Sequence, residues 1–227
     1  MPAESEHPRI RTFKPRRGRI TERQARALEE HSPFLITTSN PLELPKIFGA
    51  KEVILEIGFG TGVTTAAMAA AQPDHGFLAI DVHTPGVGDL IARIHEEGLT
   101  NLYVIEGDAI ELLEHQIAPA SLSGIRSFFP DPWPKARHHK RRLVQPERIQ
   151  LMASRVRTGG SWNIATDWEP YAEHIEEMMA TQAHWVGGKI DRPSWRPVTH
   201  YESIGLSHDR VINDFQYQRT ETPHTHI

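Results

Sequence analysis

From residue 52 onward, short apolar runs of strand length alternate with stretches of helical periodicity. The first run, Glu52–Ile57, leads through a glycine turn into an alanine-rich stretch from about Thr61 to Ala71 that reads as helix. Gly76–Val82 is a second strand run. Val87, Leu90, Ile91 and Ile94 then recur at the spacing of one helix face. Leu102–Glu106 and Ile125–Phe129 supply a third and a fourth strand, with a helix near Ala109–Gln116 between them. Ile149–Arg157 reads as helix and meets a stop signal at Gly159–Gly160. A fifth strand follows at Trp162–Ala165, and Tyr171, Ile175, Met178 and Met179 mark another helix face. Weaker strand patterns around Trp185 and over Val211–Tyr217 add a terminal hairpin. Repeated strand–helix units with short links predict an α/β fold, a mainly parallel sheet with helices on both faces. Ligands of such sheets sit beyond the C-terminal strand ends, near the switch point of the strand order.

Ahead of this region the pattern changes. Residues 1–19 read as a mobile basic arm. Thr21 and Gln24 form a capping-box pattern that starts a short helix carrying Arg23 and Arg26. Pro33, Pro41 and Pro45 punctuate the connection to the main body. The expected organisation is an arm with a short helix over 1–45 and one α/β domain over 46–227.

Composition narrows the chemistry. There is no cysteine, which removes disulfides, thiolate–zinc sites and cysteine nucleophiles. The charged, proline-containing start lacks the apolar centre of a signal peptide, and no run has the length of a membrane helix, so a cytoplasmic location is expected. The net charge is −4, but the charges are unevenly distributed. Residues 9–26 hold eight Lys or Arg against the single acid Glu22, and residues 135–142 hold five against none. Outside those stretches, 28 of the 29 acids face 12 of the 25 basic residues. An acidic body with two basic segments is compatible with solvated surface charge and with a nucleic-acid partner.

The turn after the first strand reads Leu55-Glu56-Ile57-Gly58-Phe59-Gly60-Thr61-Gly62. Its glycine spacing differs from the GxGxxG dinucleotide fingerprint, which sets a pyrophosphate on a helix N-terminus. Gly58 and Gly60 let backbone approach a ligand closely. Three acids follow three consecutive strands: Glu56, Asp81 and Asp108. Singly, each is compatible with a surface role or a helix cap. Together they suit a ligand with an ammonium, a ribose diol and an adenine amino group and no phosphate, namely S-adenosylmethionine. Glu56 would attract the ammonium, Asp81 would accept both ribose hydroxyls, and Asp108 would read the adenine.

The fourth strand runs into Phe128-Phe129-Pro130-Asp131-Pro132-Trp133-Pro134-Lys135. Three prolines at alternate positions make a stiff loop that presents Asp131 beside the cofactor. An aromatic ring nitrogen with a free lone pair needs no base to become a nucleophile. Asp131 is therefore read first as orienter and electrostatic stabiliser, with proton acceptor as the alternative. Directly downstream, Arg137, His138, His139, Lys140, Arg141 and Arg142 form a cationic run suited to phosphates. The two histidines lack the further ligands of a metal site, and no metal is expected.

The segment FFPDPWPKARHHKRR, residues 128–142, resembles the hallmark of the tRNA (guanine-N7-)-methyltransferase family in its bacterial form. IRTFKPRRGRITERQARALEE, LEIGFGTG, AIDVHTPGVG, ATDWEPYAEHI and RPVTHYE resemble further family segments in the same order, covering about residues 10–217. The resemblance implies a Rossmann-like class I S-adenosylmethionine-dependent methyltransferase with a seven-stranded sheet. It also implies methylation at N7 of the variable-loop guanine of tRNA. Glu56, Asp81, Asp108 and Asp131 would line the cofactor site, with Asp131 also catalytic. Lys135, Asp167, Thr199, His200, Tyr201 and Glu202 would contact substrate, and residues 137–142 would contact RNA. Read from the residues alone, Asp167 also fits a cap on the helix near Glu169, and Thr199–Glu202 a polar loop before a strand. The chain departs from the family in having Asp81 where Glu is common and Thr199-His200-Tyr201-Glu202 where Thr-Lys-Phe-Glu is usual. SIGLSHDRVIND also lacks the common RLGHG-like pattern. Either a monomer or a homodimer is compatible with the sequence.

Overall fold

The computed structural model describes residues 10–13, 18–29 and 33–221. The expected arm over 1–19 lies outside the described residues except at 10–13 and 18–19. The short helix α1 spans Glu22–Glu29 and begins in the expected capping box. Thr21 N donates to Gln24 Oε1 at 2.8 Å, and Gln24 N donates to Thr21 Oγ1 at 3.3 Å. Arg23 in this helix is turned to the body, bonded to Glu96 at 2.7 Å and Asp89 at 3.2 Å. A one-turn helix that the apolar pattern did not reveal, α2, spans Leu44–Phe48.

The body is a single seven-stranded sheet in the order β3-β2-β1-β4-β5-β7-β6. Its strands are β1 Glu52–Ile57, β2 His75–Asp81, β3 Leu102–Glu106, β4 Leu122–Phe128, β5 Val156–Thr166, β6 Trp185–Ile190 and β7 Asn213–Arg219. Strands β1 to β5 are parallel, and β7 joins antiparallel to both β5 and β6. The helices between them are α3 Val63–Ala71, α4 Thr84–Glu97, α5 Ala109–His115, α6 Pro146–Arg155, α7 Glu169–Ala180 and α8 His200–Ser207. Two apolar clusters line the sheet. One joins Phe77 and Ala79 to Met68, Leu90 and Ile91; the other joins Leu78 and Ile80 to Leu112, Met152 and Ile175. Alternate residues of β2 thus enter opposite clusters, as the two-residue period of a strand requires. Central parallel strands covered on both faces account for their nearly continuous apolar runs.

Two expectations at the C-terminal half change. The glycine pair Gly159–Gly160 does not stop a helix. Helix α6 ends at Arg155, and β5 already begins at Val156, carrying the glycines within it where the β4–β5 register shifts. The terminal hairpin exists, but α8 is inserted between its strands. Its amphipathic signal is weak because it exposes Tyr201, Ile204 and Leu206.

Candidate active site

Because β1 to β5 run parallel, their C-terminal ends lie along one edge of the sheet, and the acids that follow them are gathered there. The strand order reverses between β1 and β4, which sets the switch point beside the β1 turn. Gly58 and Gly60 have φ of +80° and +63°, a region costly for residues with a Cβ. A Cβ added at either would meet nothing within 4 Å, so the turn borders open space. Gly62 differs: its Cβ would lie 2.7 Å from Leu90, so its role is helix packing.

The neighbouring loops are tied to this turn. Gly58 N donates to Ile80 O at 2.8 Å, and Gly60 N donates to Asp81 Oδ2 at the same distance. The other oxygen of Asp81 accepts from His83 N at 3.0 Å. Burial pushes the Asp81 carboxyl up, and these backbone donors oppose it. Two oxygens offer about four acceptor positions, so lone pairs remain for a diol. Glu56, 3% exposed, lies behind the turn, and its Oε2 has no hydrogen-bond partner among the described residues. Desolvation raises its carboxyl to about 7, against the pull of the Arg126 guanidinium on β4. Asp108 caps α5, its Oδ1 accepting from Ile110 N at 2.9 Å. The capping role is thus realised. A buried carboxylate with one unpartnered oxygen, a diol-sized acceptor and an open glycine cradle fit S-adenosylmethionine, and such a set would repel a pyrophosphate.

The loop after β4 is held at both ends. Phe129, with φ +54°, donates its N–H to Ala165 O at 2.7 Å. Trp133, with φ +46° and 3% exposed, donates Nε1–H to Thr12 O at 3.0 Å. The Arg141 guanidinium lies 5.0 Å from the Trp133 ring centroid, and the His138 ring meets it edge-on. Asp131 is half-buried between Pro130 and Pro132 in this frame.

The cationic run forms a 3-10 helix, Ala136–Arg141. Lys135, Arg137 and Lys140 are exposed, and His138, His139 and Arg141 are half-buried. Arg142 departs from its expected place at an RNA surface. It is 2% exposed, and its guanidinium donates to Pro132 O at 3.0 Å, donates to Pro170 O at 3.4 Å and stacks on Tyr171. The C-terminal end of this segment is a brace for the Asp131 loop. Among the described residues, no three His, Asp or Glu side chains are grouped as a metal site.

Asp167, after β5, does not cap α7, whose N-cap is Trp168; its carboxylate pairs with Arg210 at 2.7 Å. Thr199 to Glu202 is not a loop. Thr199 caps α8 in a full capping box, with Thr199 and Glu202 both buried and His200 and Tyr201 exposed. The Glu202 carboxylate bonds Arg196 at 2.5 Å. Arg196, its side chain wholly buried, also holds Asp214 through two 2.8 Å bonds and lies over the rings of Phe128 and Phe129. The α8 segment is thereby fastened to the residues that lead into Asp131. Arg126 carried no sequence signal, and Arg196 was marked only as the first residue of the RPVTHYE segment, because a buried arginine reads the same as an exposed one until its partners are known.

Residues 50–214 match the family model described as "Putative methyltransferase". The chain is 47% identical over 226 residues to a tRNA (guanine-N(7)-)-methyltransferase of Streptomyces avermitilis, covering 96% of this chain and 78% of that protein. It is 43% identical over 222 residues to the enzyme of the same name from Nitrosomonas europaea, covering 95% and 99%. In fold it resembles the 16S rRNA methyltransferase KamB, with a TM-score of 0.55 at 17% identity over 78% of this chain and 91% of that one. The acid-edged glycine cradle, the braced Asp131 loop and these matches agree: the chain belongs to the tRNA (guanine-N7-)-methyltransferase family, built on the class I methyltransferase fold with S-adenosylmethionine as methyl donor.

Proposed function

We propose that this protein methylates N7 of the variable-loop guanine of tRNA. The observation that carries the reading is Asp131, framed by prolines at the end of β4, one strand away from the Gly58–Gly60 cradle. The names of its relatives support the same substrate class.

S-adenosylmethionine, when bound, would supply an electrophilic methyl group for the N7 lone pair, with the sulfonium as leaving group. The protein's work is alignment and charge. Glu56 holds the ammonium and Asp81 the ribose diol, so the donor is fixed at two distant points. Asp108, already engaged by Ile110 N, keeps acceptor capacity for an adenine amino group. Asp131 accepts hydrogen bonds from the amino edge of the guanine and stabilises the positive charge that arrives on the ring. No proton leaves N7, so Asp131 acts by orientation and electrostatics.

Lys135 beside the loop, Asp167 after β5, and Thr199, His200, Tyr201 and Glu202 around the start of α8 form the substrate side. Exposed His200 and Tyr201 make the direct contacts, while Thr199 and Glu202 shape the helix start that presents them. Arg137, His138, His139, Lys140 and Arg141 hold phosphates as the base enters the pocket. Cytoplasmic tRNA is the expected encounter, and no described helix is long and apolar enough to cross a membrane.

The test is nucleoside analysis of the variable-loop oligonucleotide isolated from unmodified tRNA that has been incubated with the protein and labelled S-adenosylmethionine. Label in 7-methylguanosine at the variable loop is expected, and loss of that label in Asp131→Ala. Label in another nucleoside, or none across a full tRNA set, would refute the proposal.

A further inference from the structure

Arg126 has no part in the mechanism above, yet it is buried at the centre of the sheet. It sits on β4 in direct register with Glu56 on β1, and both side chains are at most 5% exposed. Its guanidinium lies 4.2 Å from the Trp195 ring centroid and 5.2 Å from that of Phe77, and it donates to Met68 S at 3.3 Å and Gln72 Oε1 at 3.0 Å. None of these partners carries a negative charge. A largely desolvated cation beside a carboxylate with an unpartnered oxygen is an arrangement in which neither charge is compensated by direct contact with the other.

We infer that Arg126 is a positioning residue for cofactor binding: its positive charge favours the anionic form of Glu56 in the buried site, the form that receives the ammonium of S-adenosylmethionine. The inference rests on the proposed contact between Glu56 and that ammonium. Geometry explains the division of labour. Glu56 borders the glycine turn, whereas Arg126 is fixed below it by two rings, a thioether and an amide, facing no ligand of its own. Its charge acts through space at low local dielectric, where such an interaction is strong.

The charged neighbours of Glu56 are few. From β4 comes Arg126, from β2 comes Asp81, and α3 contributes only the hydroxyl of Thr65. Asp81 disfavours a second negative charge, and burial disfavours any charge. Among the described residues Arg126 is the single cation opposing both, and with it the carboxyl titrates at about 7. Without it the titration moves upward, Glu56 is protonated near neutral pH, and the ammonium loses its partner.

Calorimetric titration with S-adenosylhomocysteine, which keeps the ammonium, tests this between about pH 5.5 and 9, within the range where the carboxyl titrates. The wild type should bind more tightly as pH rises through about 7. Arg126→Met, and Arg126→Gln as a second neutral variant, should move that midpoint up by at least about one pH unit, with affinity about tenfold lower at neutral pH and recovering in alkali. Arg126→Lys should restore the wild-type midpoint. Carbon-13 resonances of the Glu56 carboxyl in the ligand-free protein should report the same upward move. Loss of affinity that is equal at every pH, or an unmoved carboxyl midpoint, would overturn the role given to Arg126. Glu56→Gln separates the two readings: it should weaken binding and abolish the pH dependence. Normal binding by that variant would instead overturn the Glu56–ammonium contact, while the carboxyl resonance still judges Arg126.

Discussion

Arg142 Nε donates to the carbonyl oxygen of Pro132 at 3.0 Å, so the last residue of the cationic run props the loop that carries Asp131. One continuous basic stretch therefore splits into two functions. Arg137 and Lys140 stay in solvent, and Arg142 turns inward against Tyr171. Replacing Arg137 or Lys140 with Ala should weaken tRNA binding and reduce the slope of log affinity against log salt by about one per lost phosphate contact. Arg142→Ala should leave the slope unchanged and lower kcat. Filter binding across a salt series separates the cases, and a reduced slope in Arg142→Ala would contradict the brace.

Trp133 joins the same loop to the N-terminal segment through Thr12, 121 residues earlier. Trp133→Phe keeps an aromatic ring for Arg141 and His138 but removes the donor. It should cost about 1 kcal/mol in chemical denaturation, the usual net value of one hydrogen bond. Amide exchange at residues 10–13 should quicken while exchange in β4 stays unchanged. Unchanged exchange at 10–13 would show that the contact does not hold the segment.

The buried cluster of Arg196, Glu202 and Asp214 should be sensitive to partial removal. Arg196→Met leaves buried Asp214 without its cation and buried Glu202 with only Arg192 at 3.9 Å, and a loss of about 3–5 kcal/mol is expected. Adding Glu202→Gln and Asp214→Asn to that variant should recover part of the loss, since the uncompensated charges are gone. Denaturant titration measures both. Additive losses would argue against a coupled cluster.

Glu56 should make the ligand-free protein less stable as pH rises. Its folded carboxyl titrates at about 7 rather than 4.5, so the folded state binds the proton more tightly than the unfolded chain. The stability this supplies is complete below about 4.5 and is lost as pH climbs through about 7. Glu56→Gln should therefore be more stable than wild type at alkaline pH by up to about 3 kcal/mol, the equivalent of the shift. Below the unfolded value the advantage should vanish. Melting curves at several pH values check this, and an advantage that persists in acid would mean its cause is packing.

The parallel sheet and the positions of Glu56, Asp81, Asp108 and Asp131 at its strand ends were legible in the chain. Apolar runs of strand length and helical repeats are local signals, and local periodicity decides element type where burial on both faces demands it. The proline-framed loop was equally plain, because proline constrains φ wherever it occurs. Local pattern failed at Gly159–Gly160, where pairing with β4 keeps the chain in a strand through two residues that usually end helices. It failed again at α8, where Thr199–Glu202 reads as polar loop but caps a helix whose apolar residues face solvent.

Composition and order along the chain thus determined the fold class, the acid after each strand and the stiffness of the Asp131 loop. Only the tertiary structure decided which charges are spent inside the protein. Arg126 and Arg142 are buried by partners that local pattern does not reach: Met68, 58 residues away, for Arg126, and Pro132, 10 residues away, for Arg142, while Arg196 is held by Asp214, 18 residues away. The charge of an arginine is written in its side chain, but its dielectric surroundings and its partners are set by packing. Those surroundings decide whether it meets a phosphate or braces a loop.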